Sequence, residues 1–209
     1  MHISWRKKIA NYLPNRDQLT ILDLATGTAD VLLTLCSSKA SIESAVGIDL
    51  ADKMLEVGKK KSVQRGLENK ITLQHGDANQ ILFTADSFDV TTMAFGIRNV
   101  ENTIFALKEI YRVLKKGGRV LILEFSLPEN PLLKFAHLLY LRTFVPFIGG
   151  LFSGNFKAYL YLNKTIEKFP YGEHFCRLLK QVGLKNVKAN TLLGGIATIY
   201  QGDRENAQQ

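Results

Sequence analysis

Short apolar runs recur along the first 126 residues of the chain, and segments with helical periodicity separate them. The five runs are 20–24 (TILDL), 45–50 (AVGIDL), 71–76 (ITLQHG), 88–95 (FDVTTMAF) and 119–126 (RVLILEFS). Several are continuously hydrophobic, which is typical of parallel strands that are covered on both faces. The alternation with helical segments therefore predicts an α/β fold on a mostly parallel sheet.

Two helices are predicted between these runs, at 52–64 and 102–114, the second with a clear apolar face. The KKGG sequence at 115–118 is predicted to close the second helix, because cations suit the negative end of a helix and glycine suits the position beyond it. A further helix is predicted at 173–182. The LLGG sequence at 192–195 then separates two short strands as a hairpin would, which gives seven strands with an antiparallel C-terminal strand.

The length and the 46% hydrophobic content indicate one domain over 1–209 with a sizeable core. Residues 131–162 depart from the α/β pattern, and we predict that they are helical with a break near 146–150. Charged residues, proline and glycine interrupt 131–152, the part that comes closest to a membrane span, which argues against a membrane crossing. We expect about 127–170 to form a helical insertion or lid.

The charge and the cysteines narrow the class of protein. A formal net charge of +8 favours an anionic partner, either nucleic acid or a membrane surface. Cys36 and Cys176 are isolated, and the histidines show no ligand spacing, so we predict neither a disulfide nor a metal site. The N-terminus lacks the pattern of a signal peptide, and a cytoplasmic location is expected.

The stretch 22–31, LDLATGTADV, ends the first predicted strand and opens a helix near Ala29 or Asp30. In an open parallel sheet, ligands bind beyond the carboxyl ends of the strands. Gly27 permits a tight turn there, and the helix N-terminus points at the ligand. The glycine pattern that binds a pyrophosphate, G-x-G-x-x-G, is missing, because Gly27 is the only glycine in this stretch.

Two further strand ends carry polar groups that suit a nucleoside. Asp49 ends the second strand, where a carboxylate accepts both hydroxyls of a ribose. At the end of the third strand, Asp77 suits an adenine amino group and the Ala78 amide suits a ring nitrogen. Together with Gly27, these positions predict binding of S-adenosyl-L-methionine, a nucleoside without a pyrophosphate.

Four blocks of the chain, from about Trp5 to Gly202, resemble the demethylmenaquinone and ubiquinone C-methyltransferase family. The blocks are ILDLATGTADV, GIDLADKMLEVGKKK, FDVTTMAFGIRNVENTIFALKEIYRVLKKGGRVLILEFSLP and LLGGIATIYQG. The resemblance implies a Rossmann-like class I methyltransferase fold with helices on both faces of the sheet. It also implies that Thr28, Asp49, Asp77 and Ala78 contact S-adenosyl-L-methionine, with Thr28 at its amino-acid end.

The family reaction adds a methyl group to a ring carbon of a prenylated hydroquinone. Demethylmenaquinol is the expected acceptor here, and a benzoquinol of the ubiquinone pathway is the alternative. Arg98 and Asn99, at the end of the fourth strand, are the predicted catalytic residues: Arg98 stabilises a phenolate and Asn99 orients a hydroxyl or a water. Glu124 and His137 are the candidate bases.

Structural roles compete with these catalytic ones. Arg98 also suits the neutralisation of a nearby carboxylate, and Asn99 or Asn102 suits the cap of the next helix. His137, in an apolar segment, also suits simple packing.

The polyprenyl tail of such an acceptor needs an apolar channel or a bilayer. Aromatic and basic residues at 131–162 suit an interfacial helix on the acceptor side, in peripheral contact with an anionic membrane, although an ordinary lid helix is the alternative. The net charge also suits an RNA methyltransferase, but no Asn-Pro-Pro-Tyr-like motif is present and we expect no nucleic-acid partner. A non-catalytic quinone-binding subunit would not need the nucleoside residues, and a homodimer is left open.

Two positions depart from the family pattern. Ala29 stands where many members carry glycine, and we expect it to be tolerated because alanine favours the opening of a helix. The chain also opens directly at His2, whereas members usually have a longer leading segment over the site. We therefore expect a truncated start or a reduced lid.

Overall fold

The computed structural model describes residues 2–144, 165 and 169–206 and contains one seven-stranded sheet with the order β3-β2-β1-β4-β5-β7-β6. The strands are β1 (Leu19–Leu24), β2 (Ile42–Asp49), β3 (Ile71–His75), β4 (Phe88–Ala94), β5 (Leu114–Phe125), β6 (Lys185–Leu192) and β7 (Ala197–Asp203). Strands β1 to β5 pair in parallel, and β7 runs antiparallel to both β5 and β6. This topology confirms the predicted fold class and the antiparallel C-terminal strand.

Helices cover both faces of the sheet. The helices within the described residues are α1 (His2–Ile9), α2 (Asp30–Cys36), α3 (Asp52–Gln64), α4 (Thr103–Val113), α5 (Pro131–Leu139) and α6 (Glu173–Gln181), of which α5 has no buried residue. Successive strand residues point to opposite faces, so Ile21 of β1 packs with α1 and α2 while Leu22 packs with α4 and α6. The result is a three-layer arrangement with one apolar core on each side of the sheet.

The predicted helices at 52–64 and 102–114 are confirmed as α3 and α4. Asn102 is the N-cap of α4, and its side-chain oxygen accepts a hydrogen bond from the Phe105 amide at 3.2 Å. This contact confirms the capping role of Asn102. The helix predicted at 173–182 is α6, and the predicted hairpin is the β6–β7 pair, joined by a 3-10 turn at Leu193–Gly195.

The prediction that 115–118 closes α4 is wrong. Leu114 already pairs with Phe88, and the next paired position is Arg119 with Val90, so residues 115–118 form a bulge within β5. The bulge is held because the Gly117 amide donates to the Arg204 carbonyl and the Arg204 amide donates to the Gly118 carbonyl, both at 2.8 Å. Arg204, distant in sequence, also donates to the Tyr111 and Arg112 carbonyls and supplies the cation at the end of α4.

The region predicted as a helical insertion is described only in part. Helix α5 begins after Asn130, whose side chain caps the Leu132 and Leu133 amides, and a π-helical turn follows at Tyr140–Phe144. The predicted break near 146–150 and the remaining residues to 164 lie outside the described residues. Within the ranges that the structure describes, no helix is long and apolar enough to cross a bilayer.

Candidate functional site

A cavity of about 530 Å³ lies at the carboxyl ends of β1, β2 and β4. It opens beside the point where the strand order reverses, with β2 on one side of β1 and β4 on the other. This is the place where ligands bind in doubly wound sheets. Its lining contains all the residues predicted to bind the cofactor: Gly27, Thr28, Asp49, Asp77 and Ala78.

The loop after β1 turns sharply through alternate left-handed residues. Ala25, Gly27 and Ala29 have φ values of 50°, 57° and 60°. A side chain is strained in this region, and a Cβ on Gly27 would also lie 3.1 Å from the Met54 Cε atom. The expectation that Ala29 opens the helix is wrong, because α2 begins at Asp30 and Ala29 precedes it in a left-handed conformation. Glycine suits this position better for that reason.

Asp49 is fixed at the cavity by two backbone amides. Its Oδ2 atom accepts from the Gly27 amide and its Oδ1 atom accepts from the Ala51 amide, both at 2.8 Å. Each carboxylate oxygen has a second lone pair, so both can still accept from hydroxyl groups. The loop and the carboxylate therefore position each other, and the ribose assignment of Asp49 stays a prediction.

The end of β3 presents a small polar turn to the same cavity. The Asp77 Oδ1 atom accepts from the Asn79 amide at 2.8 Å, and the Gln80 amide bonds the Asp77 carbonyl at 3.1 Å. Ala78 lies at the bottom of this turn and is nearly buried. The geometry brings the two predicted adenine contacts together, and their ligand remains a prediction.

Two apolar side chains at the cavity were not singled out from the sequence. Leu50 is 61% exposed and Met54 is 45% exposed, and both line the cavity beside Asp49. Apolar side chains with this exposure suit the flat face of a base. The available signal was the presence of a leucine and a methionine within five residues of a strand-end aspartate.

Asp23 is a third residue at the cavity that was not singled out from the sequence. It lines the cavity but is 1% exposed, and the hydroxyls of Thr26 and Thr92 each donate to its carboxylate at 2.6 Å. Burial raises the pKa of Asp23 to about 6, although the two hydroxyl hydrogen bonds oppose that shift. The available signal was one carboxylate within the otherwise apolar TILDL run.

Thr28 belongs to a charged network at the cavity wall. Its hydroxyl donates to the Asp30 Oδ2 atom at 3.1 Å and accepts from the Lys61 Nζ atom at 2.8 Å. Asp30 also pairs with Lys61 at 2.8 Å and with Arg6 of α1 at 3.0 Å. Burial raises the pKa of Asp30, but the hydrogen bond from Lys61 and the charge of Arg6 outweigh it, and the pKa lies below its usual value.

The two predicted catalytic residues lie in different environments. Asn99 is exposed and lines the cavity, whereas Arg98 is not among the lining residues. The Arg98 NH1 atom instead donates to the Phe95 carbonyl at 3.0 Å and pairs with Glu124, which is fully buried. Burial raises the pKa of Glu124, and the charge of Arg98 only partly opposes this. The neutralising role of Arg98 is therefore present, and the catalytic roles of both residues stay predictions.

An aromatic cluster of Trp5, Phe95 and Phe125 adjoins this ion pair. The ring centroids of Phe95 and Phe125 are 4.6 Å apart, and Trp5 lies about 6 Å from both. Phe95 also lines the cavity and has a φ of 59°, a strained value for a bulky side chain. Such strain is commonly found at functional sites, and here it turns an aromatic ring toward the cavity wall.

The chain is similar in sequence to known methyltransferases. The sequence profile of the ubiE/COQ5 methyltransferase family matches residues 1–204. The ubiquinone/menaquinone biosynthesis C-methyltransferase UbiE of Geotalea daltonii is 44% identical over 204 residues, which cover 96% of this chain and 85% of that protein. The demethylmenaquinone methyltransferase of Bacillus velezensis is 36% identical, with 96% and 86% covered.

The fold is also shared with solved structures. The phosphoethanolamine N-methyltransferase 2 of Haemonchus contortus, solved in complex with S-adenosyl-L-methionine, matches 97% of this chain and 53% of its own. The TM-score is 0.72 and the sequence identity is 15%. At this identity the likeness concerns the fold alone.

Proposed function

The chain belongs to the ubiE/COQ5 methyltransferase family, and we propose that it transfers the methyl group of S-adenosyl-L-methionine to a ring carbon of a prenylated hydroquinone. The observation that carries this proposal is the nearly full-length likeness to quinone methyltransferases. Demethylmenaquinol is the proposed acceptor, because the relative of Bacillus velezensis is named for that quinone. The UbiE relative is named for both quinones, so a benzoquinol of the ubiquinone pathway is the second candidate.

The residues at the cavity fit the proposed cofactor. We assign Asp49 to the ribose hydroxyls, Asp77 and the Ala78 amide to the adenine edge, and Thr28 to the amino-acid end. The single glycine of the loop, Gly27, brings the backbone close to the ligand without the repeated amides that hold a pyrophosphate. Carboxylates thus face the hydroxyl and amino groups of the nucleoside, which are hydrogen-bond donors.

The reaction defines what the side chains must do. S-adenosyl-L-methionine supplies a methyl group on a sulfonium: the carbon–sulfur bond breaks with its electron pair returning to sulfur, a carbon–carbon bond forms, and the ring loses a proton. The protein has to hold the ring carbon in line and favour the ionised phenol. We assign the orientation of the phenol to Asn99, which lies at the cavity, and the support of its negative charge to Arg98.

The general base is not assigned. Glu124 is fully buried and paired with Arg98, and burial lowers the pKa of the half-buried His137. Neither residue is among those that line the cofactor cavity. Both remain candidates for the proton transfer.

The acceptor side also carries a proposal about the membrane. The described part of the segment exposes five large apolar side chains, each at least half exposed: Leu132, Leu133, Phe135, Leu139 and Tyr140. A polyprenyl tail partitions into a bilayer, so a helix that meets the headgroups brings the enzyme to its substrate. We propose peripheral contact of α5 with an anionic membrane on the cytoplasmic side.

A label-transfer assay tests the reaction. The protein is incubated with methyl-labelled S-adenosyl-L-methionine and, in separate samples, a reduced demethylmenaquinol in detergent, the matching demethyl benzoquinol, or total RNA. We expect label in the naphthoquinol. Label in the benzoquinol alone would move the acceptor to the second candidate, and label in RNA alone would refute quinol methylation.

A matched pair of variants ties the activity to the cavity. Asp49→Ala removes the ribose acceptor, and we expect neither binding nor transfer, because the loop amide of Gly27 also loses its partner. Glu43→Ala, at the other end of β2 and exposed, should leave both unchanged. Unaltered cofactor affinity of Asp49→Ala in calorimetry would refute the ribose assignment.

A further inference from the structure

Two cations share one carboxylate at the wall of the cofactor cavity. Lys61 reaches both Asp30 and Thr28 at 2.8 Å, and Arg6 reaches Asp30 at 3.0 Å. With one negative charge for two positive ones, the network keeps a positive charge beside Thr28. Among the residues that the structure describes, Arg6 is engaged through a single nitrogen, which leaves donors of its guanidinium free for a second acceptor.

Arg6 is held in position by the rest of its helix. Trp5 and Ile9 are 4% and 0% exposed, and both belong to the core on this face of the sheet. Arg6 lies between them in sequence, its side chain is 26% exposed, and it lines the cavity together with Thr28 and Asp30. The buried neighbours fix the direction of α1, so the guanidinium has a defined place.

A negative charge lies near Arg6 in the same cavity. Asp23 lines it as well, and the charge of Arg6 contributes to lowering the pKa of Asp23 against the larger effect of burial. A guanidinium and a carboxyl group therefore line the same cavity as Thr28. This pair is the complement of a free amino acid, which carries one carboxylate and one ammonium group.

We propose that Arg6 binds the carboxylate of the amino-acid end of S-adenosyl-L-methionine, so that the N-terminal helix forms one wall of the cofactor site. The proposal rests on the proposed function, which places that cofactor in the cavity with its amino-acid end at Thr28. Arginine suits this task because its planar fork matches a carboxylate. Asp30 and Lys61 position Arg6 and Thr28 before the ligand arrives.

The competing explanation is a purely structural role, in which Arg6 only ties α1 to α2 through Asp30. The two explanations differ for a ligand that lacks the carboxylate. Decarboxylated S-adenosylmethionine keeps the adenosine, the sulfonium and the amino group and lacks only that group. If Arg6 contacts the carboxylate directly, its replacement weakens the binding of S-adenosyl-L-methionine and leaves the binding of the decarboxylated ligand unchanged.

Calorimetric titration of both ligands tests the proposal. For Arg6→Met we expect binding of S-adenosyl-L-methionine to weaken by about 10- to 100-fold, the usual effect of a lost charge-assisted hydrogen bond. Binding of the decarboxylated ligand should stay within about twofold. Arg6→Lys keeps the charge and should recover part of the affinity, and Lys8→Met, exposed on the same helix, should change neither ligand.

Each outcome decides the matter. An equal loss for both ligands, or no loss for either, would overturn the proposal. If Arg6→Met does not fold, the unmodified protein still decides, because equal affinity for the two ligands excludes any carboxylate contact. Failure of the unmodified protein to bind either ligand would instead refute the proposed function.

Discussion

Asp23 makes the free energy of unfolding depend on pH. Its pKa of about 6 in the folded state lies above the ordinary value of 3.8. Between these two pH values, the native state therefore holds a proton that the unfolded chain has lost. The free energy of unfolding therefore falls as the pH rises from about 4 to 6, and the loss stays constant above that window. About two pKa units correspond to about 3 kcal/mol, a cost that the chain carries at neutral pH.

We expect Asp23→Asn to melt at a higher temperature than the unmodified protein at pH 8, because the variant buries no charge. The difference should narrow as the pH is lowered from 7 to 4, since the unmodified carboxyl group is then protonated. Thermal melts across this range measure it. Asp17→Asn, at an exposed site, serves as the control, and a constant difference at all pH values would contradict the assignment.

The same carboxyl group should affect binding in the opposite direction. In the proposed binding mode, an ionised Asp23 attracts the ammonium group of the cofactor, so we expect affinity for S-adenosyl-L-methionine to fall as the pH drops below about 6. Asp23→Asn should bind more weakly at pH 8 and lose most of this pH dependence. Titration at pH 5, 6, 7 and 8 tests both statements, and parallel curves for the two proteins would refute the role.

A different prediction concerns the contribution of Arg98 and Glu124 to stability, because the opposite charge of each residue compensates for the burial of the other. Arg98→Ala leaves a fully buried carboxylate without its partner, which costs about 3–5 kcal/mol of stability. The pair Arg98→Met with Glu124→Gln removes both charges and should recover much of that loss. Denaturant titration measures the stability, and normal methyl transfer by a stable double variant would show that Arg98 acts on the fold and not on the acceptor.

Helix α5 differs from the other helices in the burial of its side chains. None of its residues is buried, whereas α2, α4 and α6 each place several side chains in a core and α3 places Leu55 there. Its side-chain caps from Asn130 hold the first turn. An apolar helix of this kind needs a covering, and the proposed covering is the headgroup region of a membrane.

Vesicle flotation tests the role of α5. Leu132→Ser and Phe135→Ser, singly or together, should reduce the fraction bound to vesicles that contain anionic lipid, because each removes an exposed apolar side chain. Leu82→Ser is the matched control, since Leu82 is 78% exposed in a loop before β4. Equal effects of all three substitutions would indicate nonspecific adsorption.

The sequence predicts the strand ends that build the cavity, because continuous apolar runs mark buried parallel strands. Asp49 lies at the end of such a run, Gly27 and Asp77 follow two others, and the topology brings the three together. The bulge at 115–118 could not be predicted, since it depends on Arg204, about 90 residues later. The partner of Arg98 was hidden for the same reason, because the pairing of β4 with β5 sets that distance.

The thermal stability of the protein should increase when S-adenosyl-L-methionine binds. Saturation at about 100 times the dissociation constant adds about 2.7 kcal/mol, which raises the melting temperature of a domain of this size by about 5–10 °C. We expect this shift with S-adenosyl-L-methionine. NAD, at the same concentration, should give none because the loop lacks the glycines for a pyrophosphate, and a comparable shift with NAD would contradict that assignment.

The position of β7 has a consequence for the order of folding during synthesis. This strand follows the other six in the sequence but lies inside the sheet, between β5 and β6. The strands that form the cavity are synthesised early. One edge of β5 stays unpaired until its partner strand, Ala197–Asp203, has been synthesised. A nascent chain therefore contains all the residues that line the cavity before its sheet is complete, and a chain cut before Ala197 keeps those residues but leaves the edge of β5 without its partner strand.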